Sequence, residues 1–246
     1  MEIFFATITI FGNFIFWILI SFIFYWLGER KFSKFFISAV LGGFILNTAI
    51  KYVVKLPRPP VNEWMVGVES PYGFPSGHST TIFLAATYLT LRNRRYFPIY
   101  ALAVLVAYSR VFLKVHYPMD VVGGAFLGLT TAFIFWFCEK KFEINYKHSI
   151  FLFLITFLIF MFFPIRPELT GGLTAGFGAS LITYLNQEKG SWRKVFIGFT
   201  STLAVFAPYF FTYSPILKTL ISFTFIYWAL TLYPYFYRRV TGSEAN

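Results

Sequence analysis

Apolar residues along this chain come in runs. They do not alternate with polar ones, nor do they recur as a single stripe of helical period. Stretches of roughly 20 residues, long enough for a helix to cross the hydrocarbon of a bilayer, follow one another from end to end with short polar connections between them. Nine such spans can be drawn, at about 3–27, 34–55, 75–91, 96–113, 118–138, 149–164, 168–185, 195–212 and 215–236. No segment shows the alternating pattern that a membrane barrel needs. The pattern therefore predicts an all-α fold, a polytopic transmembrane helical bundle of about nine spans. Two spans stand apart. The third is short and opens in the polar segment Pro75-Ser76-Gly77-His78. The seventh is weakly apolar and carries Gly171, Gly172, Gly176 and Gly178, and small residues at i,i+4 spacing let helices approach closely. Gly124 and Gly128 in the fifth span have the same spacing.

Composition fits this reading. The chain is 57% hydrophobic and 13% charged, about half the charged share of a soluble domain. The first run lacks a basic leader and a small-residue cleavage site, so it is read as a retained span. With no internal repeat, Gly/Ser linker or soluble second domain in view, residues 1–246 are expected to form one integral-membrane domain, with a core at about 34–138 and accessory helices at about 149–236. Cys138 is the only cysteine, which excludes an internal disulfide and a cysteine-based zinc site. It reads as apolar filler at a span end.

Charge orients the bundle. The connections after the first, third, fifth and seventh spans, together with the C-terminal tail, hold fourteen of the 21 basic residues. By the positive-inside rule that side is cytoplasmic, with the N-terminus outside and the C-terminus inside. The net charge of +11 is then mostly a topology signal, complemented by anionic lipid headgroups. No nucleic-acid partner is expected, because no basic groove or aromatic–basic module appears. The charge count also places three polar segments at one outer face. They are Lys51-x6-Arg58-Pro59, Pro75-Ser76-Gly77-His78, and Ser109-Arg110-x5-His116-x3-Asp120.

Each segment suits phosphate chemistry and each has a plainer alternative. His116 and Asp120 are four apart and share a helix face. A carboxylate on one ring nitrogen fixes the tautomer and leaves the other nitrogen free to attack, though the same pair also serves as a structural bridge near a span end. Ser76 is a good N-cap, Gly77 leaves backbone N–H groups open to an oxyanion, and His78 can donate a proton to a leaving oxygen. A capping serine beside an interfacial histidine reads the same way. Lys51, Arg58 and Arg110 can clamp a phosphoryl group, and equally can be snorkelling basic residues. No carboxylate cluster has metal-ligand spacing, so neither metal nor cofactor is expected. His148 reads as a surface histidine.

Taken in order, the three segments resemble the three-part signature of the type 2 phosphatidic acid phosphatase superfamily, K-x6-R-P, P-S-G-H and S-R-x5-H-x3-D, without a departure. The resemblance covers roughly residues 51–120 and implies that His116 is the nucleophile of a phosphohistidine intermediate. It implies further that Asp120 orients His116, that His78 acts as general acid and then as base, and that Lys51, Arg58 and Arg110 bind the phosphoryl group with help from Ser76 and Gly77. The nine-span layout is similar to the family's glucose-6-phosphatase and sphingosine-phosphate phosphatase branches. The expected activity is metal-independent hydrolysis of a lipid phosphate, either a polyprenyl diphosphate or a phospholipid monophosphate, at the outer face of the plasma membrane. A water-soluble sugar-phosphate phosphatase of the glucose-6-phosphatase type is the alternative within the same chemistry, and a non-catalytic lipid transporter or scaffold is the alternative outside it. Oligomeric state is not legible in the sequence.

Overall fold

The computed structural model describes residues 1–68, 70–141, 167–182 and 191–241. The expected span at 149–164 and His148 lie outside the described residues. The chain divides into two compact units, one of Met1–Ile18 with Phe35–Phe142 and the other of Leu19–Lys34 with Glu143–Asn246. The described residues are helical apart from their connections, with one isolated β-bridge between Pro57 and Tyr72.

In the first unit the expected span at 3–27 is broken. Helix α1 (Glu2–Ile8) runs into a 3₁₀ turn (Thr9–Gly12), and α2 (Phe14–Trp26) leaves it at a bend of 53°. The break follows from Gly12-Asn13. Glycine weakens a helix interior, and Asn13 takes extended backbone, φ −79° and ψ 131°, as a cap does. The Asn13 side chain accepts from the Ile15 amide at 2.9 Å. Trp17 Nε1 donates to the Phe11 carbonyl at 2.7 Å, satisfying an acceptor that the broken ladder releases.

Four further helices complete this unit: α3 (Arg30–Val54, which begins in the other unit), α4 (Gly77–Arg92), α5 (Ile99–Phe112) and α6 (Pro118–Lys141). Helix α4 lies along α6 and is buried almost without interruption from Ser79 to Leu89. The close approach depends on the expected glycine pair. A Cβ on Gly124 would lie 2.5 Å from the Ser76 carbonyl oxygen and 3.0 Å from Ser79 Cβ, and one on Gly128 would collide with the Thr80 carbonyl. At the far ends of the two helices, Glu139 accepts from Tyr88 Oη at 2.7 Å and from Arg92 at 3.3 Å.

Helices α3 and α5 both end at a left-handed lysine, and both ends lead into the polar segments. The last turn of α3 closes with the Lys55 amide donating to the Lys51 carbonyl at 2.9 Å, and Lys55 has φ 54°. At the end of α5, the Lys114 amide donates to Val111 at 3.0 Å and the Val115 amide to Arg110 at 3.3 Å, with Lys114 at φ 59°. This is a Schellman cap, whose left-handed position glycine normally fills. Gly28, after α2, fills such a position at φ 101°. Left-handed backbone costs an L-residue about 1–2 kcal/mol, and glycine returns part of that in unfolded-state entropy. Lys114→Gly is therefore expected to raise stability by up to about 1 kcal/mol. A fall in the melting temperature of the detergent-solubilised variant would contradict this account of the cap.

The second unit contains α7 (Pro167–Ile182), α8 (Trp192–Phe206), α9 (Pro215–Tyr227), a π-helical turn (Trp228–Leu232) and α10 (Tyr233–Thr241). The glycines of α7 do what their spacing predicts. A Cβ on Gly172 or Gly176 would collide with the Thr219 or Phe223 carbonyl of α9. The π-helical turn is held from α2, where Tyr25 Oη donates to the Leu230 carbonyl at 2.9 Å and Trp26 Nε1 to the Ala229 carbonyl at 2.8 Å.

Among the described residues, Arg30–Val54, Pro118–Lys141 and the continuous stretch Pro215–Thr241 are long and apolar enough to cross a membrane, and the bent α1–α2 pair makes a fourth if it is one span. Helices α4 and α5, with 16 and 14 residues, fall short of that length. They rise only ~24 and ~21 Å, against a hydrocarbon core of about 30 Å.

Candidate active site

The three polar segments converge in the first unit. Lys51, in the last turn of α3, is buried, and its ammonium donates to the carbonyls of Tyr72 at 3.1 Å and Gly73 at 2.8 Å. The left-handed Lys55 then turns the chain so that Arg58 comes back toward the same centre. Its Nε donates to the Ser70 carbonyl at 2.8 Å, and its Nη1 donates to the Val115 carbonyl at 2.7 Å and lies 2.9 Å from His116 Nε2. Burial lowers the Arg58 pKa to about 10, which leaves it a cation at neutral pH.

His116 follows the Schellman cap of α5 and precedes α6. Its Nδ1 lies 3.1 Å from Asp120 Oδ2, and both side chains are buried. The Tyr117 amide donates to the same oxygen at 3.0 Å. These partners decide the tautomer. A guanidinium can only donate and an ionised carboxylate can only accept, so the proton sits on Nδ1 and the lone pair of Nε2 faces Arg58. Burial lowers the pKa of His116, and the Asp120 bond offsets this only in part, so the ring is neutral at neutral pH.

The Pro75–His78 segment is locked to Asp120 and to α3. The Ser76 amide donates to the Asp120 carbonyl at 2.8 Å. Ser76 caps α4, its side chain accepting from the Ser79 amide at 3.5 Å. Gly77 and His78 are the first two residues of α4, and His78 is within electrostatic reach of Arg110, His116, Arg58 and Lys51. Arg110 lies buried in the last turn of α5. Gly73 is needed for what surrounds it, since a Cβ there would sit 2.7 Å from Asp120 Oδ2 and 3.1 Å from the Pro57 carbonyl oxygen. Lys114 stays outside the cluster, exposed and 4.0 Å from Glu63.

The eight site residues expected from the sequence therefore come together, as three basic residues, two histidines and a carboxylate with Ser76 and Gly77 at the start of α4. Among the described residues, no group of three or more metal-ligating side chains is present.

Residues 32–144 match the model of the PAP2 superfamily. This segment is similar to the PAP2 superfamily and holds all three polar motifs. The chain is also similar to known proteins. Over 111 residues the chain is 33% identical to an undecaprenyl-diphosphatase of Sulfolobus acidocaldarius, covering 43% of this chain and 54% of that one. Over 100 residues it is 28% identical to the undecaprenyl-diphosphatase BcrC of Bacillus subtilis, covering 39% and 52%. Over 133 residues it is 31% identical to a lipid A 1-phosphatase of Rhizobium johnstonii, covering 48% and 52%. The match thus spans about half the length of these curated relatives. No solved structure matches the chain.

One residue that braces this cluster was not picked out from the sequence. Asn47, one turn before Lys51, is buried and donates from Nδ2 to the Pro75 carbonyl at 3.1 Å and to Thr80 Oγ1 at 3.0 Å. A lone amide in an apolar helix, four residues ahead of a motif lysine, was the signal available. Asn47→Ala leaves a buried carbonyl without its donor, which costs about 1–3 kcal/mol. It is expected to lower the melting temperature, and to reduce kcat by loosening the Ser76–His78 turn. Unchanged stability and turnover would show that the two hydrogen bonds carry no load.

Proposed function

We propose that the protein is an integral-membrane phosphatase that hydrolyses a lipid phosphate or diphosphate without a metal, through a phosphohistidine on His116. The observation that carries this reading is the aligned trio Asp120–His116–Arg58. Asp120 holds the proton on Nδ1, and Nε2 keeps its lone pair. A cation stands where the phosphoryl oxygens of a bound substrate would lie. In the first step Nε2 attacks phosphorus, the bond to the leaving oxygen breaks, and His78 gives that oxygen a proton. In the second, His78 takes a proton from water as it attacks phosphorus, and the phosphorus–nitrogen bond breaks. Lys51, Arg58 and Arg110 balance the charge on the equatorial oxygens, with Ser76 and Gly77 donating from the start of α4.

The names of the relatives support a lipid substrate, with a polyprenyl diphosphate first among the candidates. The proposed topology has about nine spans, the N-terminus outside, the C-terminus cytoplasmic and the site at the extracytoplasmic face of the plasma membrane. It rests on the charge distribution between spans.

The deciding experiment is a phosphate-release panel in detergent and EDTA, offering polyprenyl diphosphate, phosphatidate, phosphatidylglycerol phosphate, a sphingoid phosphate and glucose 6-phosphate. Release from the lipids is expected. Activity confined to the sugar phosphate would replace the lipid reading, and no release from any of them would return the chain to the binding proteins.

The lowered His116 pKa also sets a pH dependence. Because the folded-state pKa lies below the ordinary value near 6.5, the nucleophile stays neutral down through that value and is lost only at lower pH. The enzyme's acid limb in kcat/KM is expected below pH 6.5. It can be told from substrate titration because it stays put when a substrate of different second phosphate pKa is used. An enzyme limb at or above 6.5 that moves with Asp120→Asn would contradict the burial of His116.

A further inference from the structure

The imidazole of His78 is seated against a residue outside the PAP2 segment. Gly12, the last residue of the 3₁₀ turn that breaks the first span, is buried against α4 and α5. A Cβ at Gly12 would lie 2.7 Å from His78 Cβ, 2.9 Å from His78 Cδ2 and 3.0 Å from Val106 Cγ1. The first two distances are closer than side-chain carbons come, and Val106 closes the remaining side. The ring of His78 is thus backed by bare glycine backbone, and any side chain at position 12 pushes it away from its present place.

The turn is itself fixed. The Asn13 cap, the Trp17–Phe11 hydrogen bond and the contact of Phe5 with Phe112 of α5, ring centroids 4.3 Å apart, hold the N-terminal segment in this pose. Gly12 cannot retreat without breaking them.

We propose that Gly12 is a positioning residue for His78, and that the broken N-terminal span forms the back wall of the catalytic site. The proposal rests on the reading of His78 as the general acid. Its chemistry is specific. A displaced acid harms a reaction in proportion to how much its leaving oxygen needs a proton. An alkyl phosphate expels an alkoxide and needs one. An aryl phosphate with a nitro group expels a stabilised phenolate and does not, and a prenyl diphosphate, which expels a phosphate monoester of similarly low basicity, behaves like the aryl ester.

The test compares Gly12→Ala with wild type on dodecyl phosphate and p-nitrophenyl phosphate, with melting temperatures recorded alongside. A loss of about 10- to 100-fold in kcat is expected on the alkyl ester, part of what a general acid supplies, with less than about a threefold change on the aryl ester. Adding Val106→Ala makes room for the new methyl group on the side away from His78 and is expected to recover part of the alkyl activity. If Gly12→Ala does not fold, the G12A/V106A double variant takes its place on the same two esters. Equal losses on both esters, or none on either, overturn the proposal. His78→Ala, run in parallel, separates this failure from that of the acid reading. If His78→Ala discriminates between the esters and Gly12→Ala does not, only the positioning role falls. If His78→Ala does not discriminate, the general-acid role falls and the proposal with it.

Discussion

Alanine in place of His116 is expected to stop phosphate release, with a loss of at least about 10⁴-fold in kcat, because it removes the Nε2 lone pair that Asp120 orients for attack. A radiolabelled phosphoryl group from substrate should be trapped on the wild-type protein after a rapid quench, stable in base and labile in acid, and should be absent from the variant. Asp120→Asn tests the same step from behind. An amide can turn its NH₂ toward Nδ1, which then accepts and moves the ring proton to Nε2. The attacking lone pair is lost, and an N–H is left facing the guanidinium of Arg58. A loss of about 10³- to 10⁴-fold is expected for this tautomer change, with the fold intact. Phosphate release by His116→Ala above about one per cent of wild type would end the phosphohistidine mechanism, since it leaves too small an effect for a lost nucleophile.

Arg58→Lys should be nearly as damaging as Arg58→Ala, at roughly 10²- to 10³-fold in kcat/KM, the range seen when one preorganised donor to a charged transition state is removed. The guanidinium holds two backbone carbonyls 45 residues apart, Ser70 with Nε and Val115 with Nη1. A lysine keeps the charge but has no fork to bridge them. The contact of Nη1 with His116 Nε2 adds a second consequence. Arg58 must yield that nitrogen before attack, so an incoming phosphate oxygen has to draw the guanidinium off the nucleophile. Removing Arg58 is therefore expected to speed acylation of His116 by diethylpyrocarbonate in the substrate-free protein while slowing turnover. Slower acylation would mean that Arg58 does not cover the ring.

The site was legible in the sequence because its members are polar groups in an apolar chain, at spacings set by helix ends. Lys51 and Arg58 were seven apart with prolines on either side of Arg58, and His116 and Asp120 were four apart around Pro118. The i,i+4 glycines of α6 and α7 were legible for the same reason, since close helix packing leaves a mark at fixed spacing. Asn47 was harder, because one amide in a hydrophobic run does not say which carbonyl it will meet. Gly12 was out of reach. Its role lies in an atom it lacks, and it matters only because His78, 66 residues on, comes to lie against it. The break at Gly12-Asn13 was missed because hydropathy averages over a span and registers neither a cap nor a bend. The left-handed lysines were hidden too, since only a tertiary demand holds an L-residue in that conformation.

Those two lysines bear on how substrate arrives. Lys55 and Lys114 occupy backbone positions that glycine would fill with less strain, and both side chains are exposed. Each fixes a positive charge just past a helix C-terminus, where it complements the helix dipole, and just before a segment that enters the site. Lys55 stands three residues before Arg58 and Lys114 two before His116, so both charges add to the field around the cluster. Encounter should accordingly be fast at low ionic strength and slow as salt screens the field. A protein with glycine at both positions would be tougher to heat, yet slower to capture its ligand and less sensitive to salt.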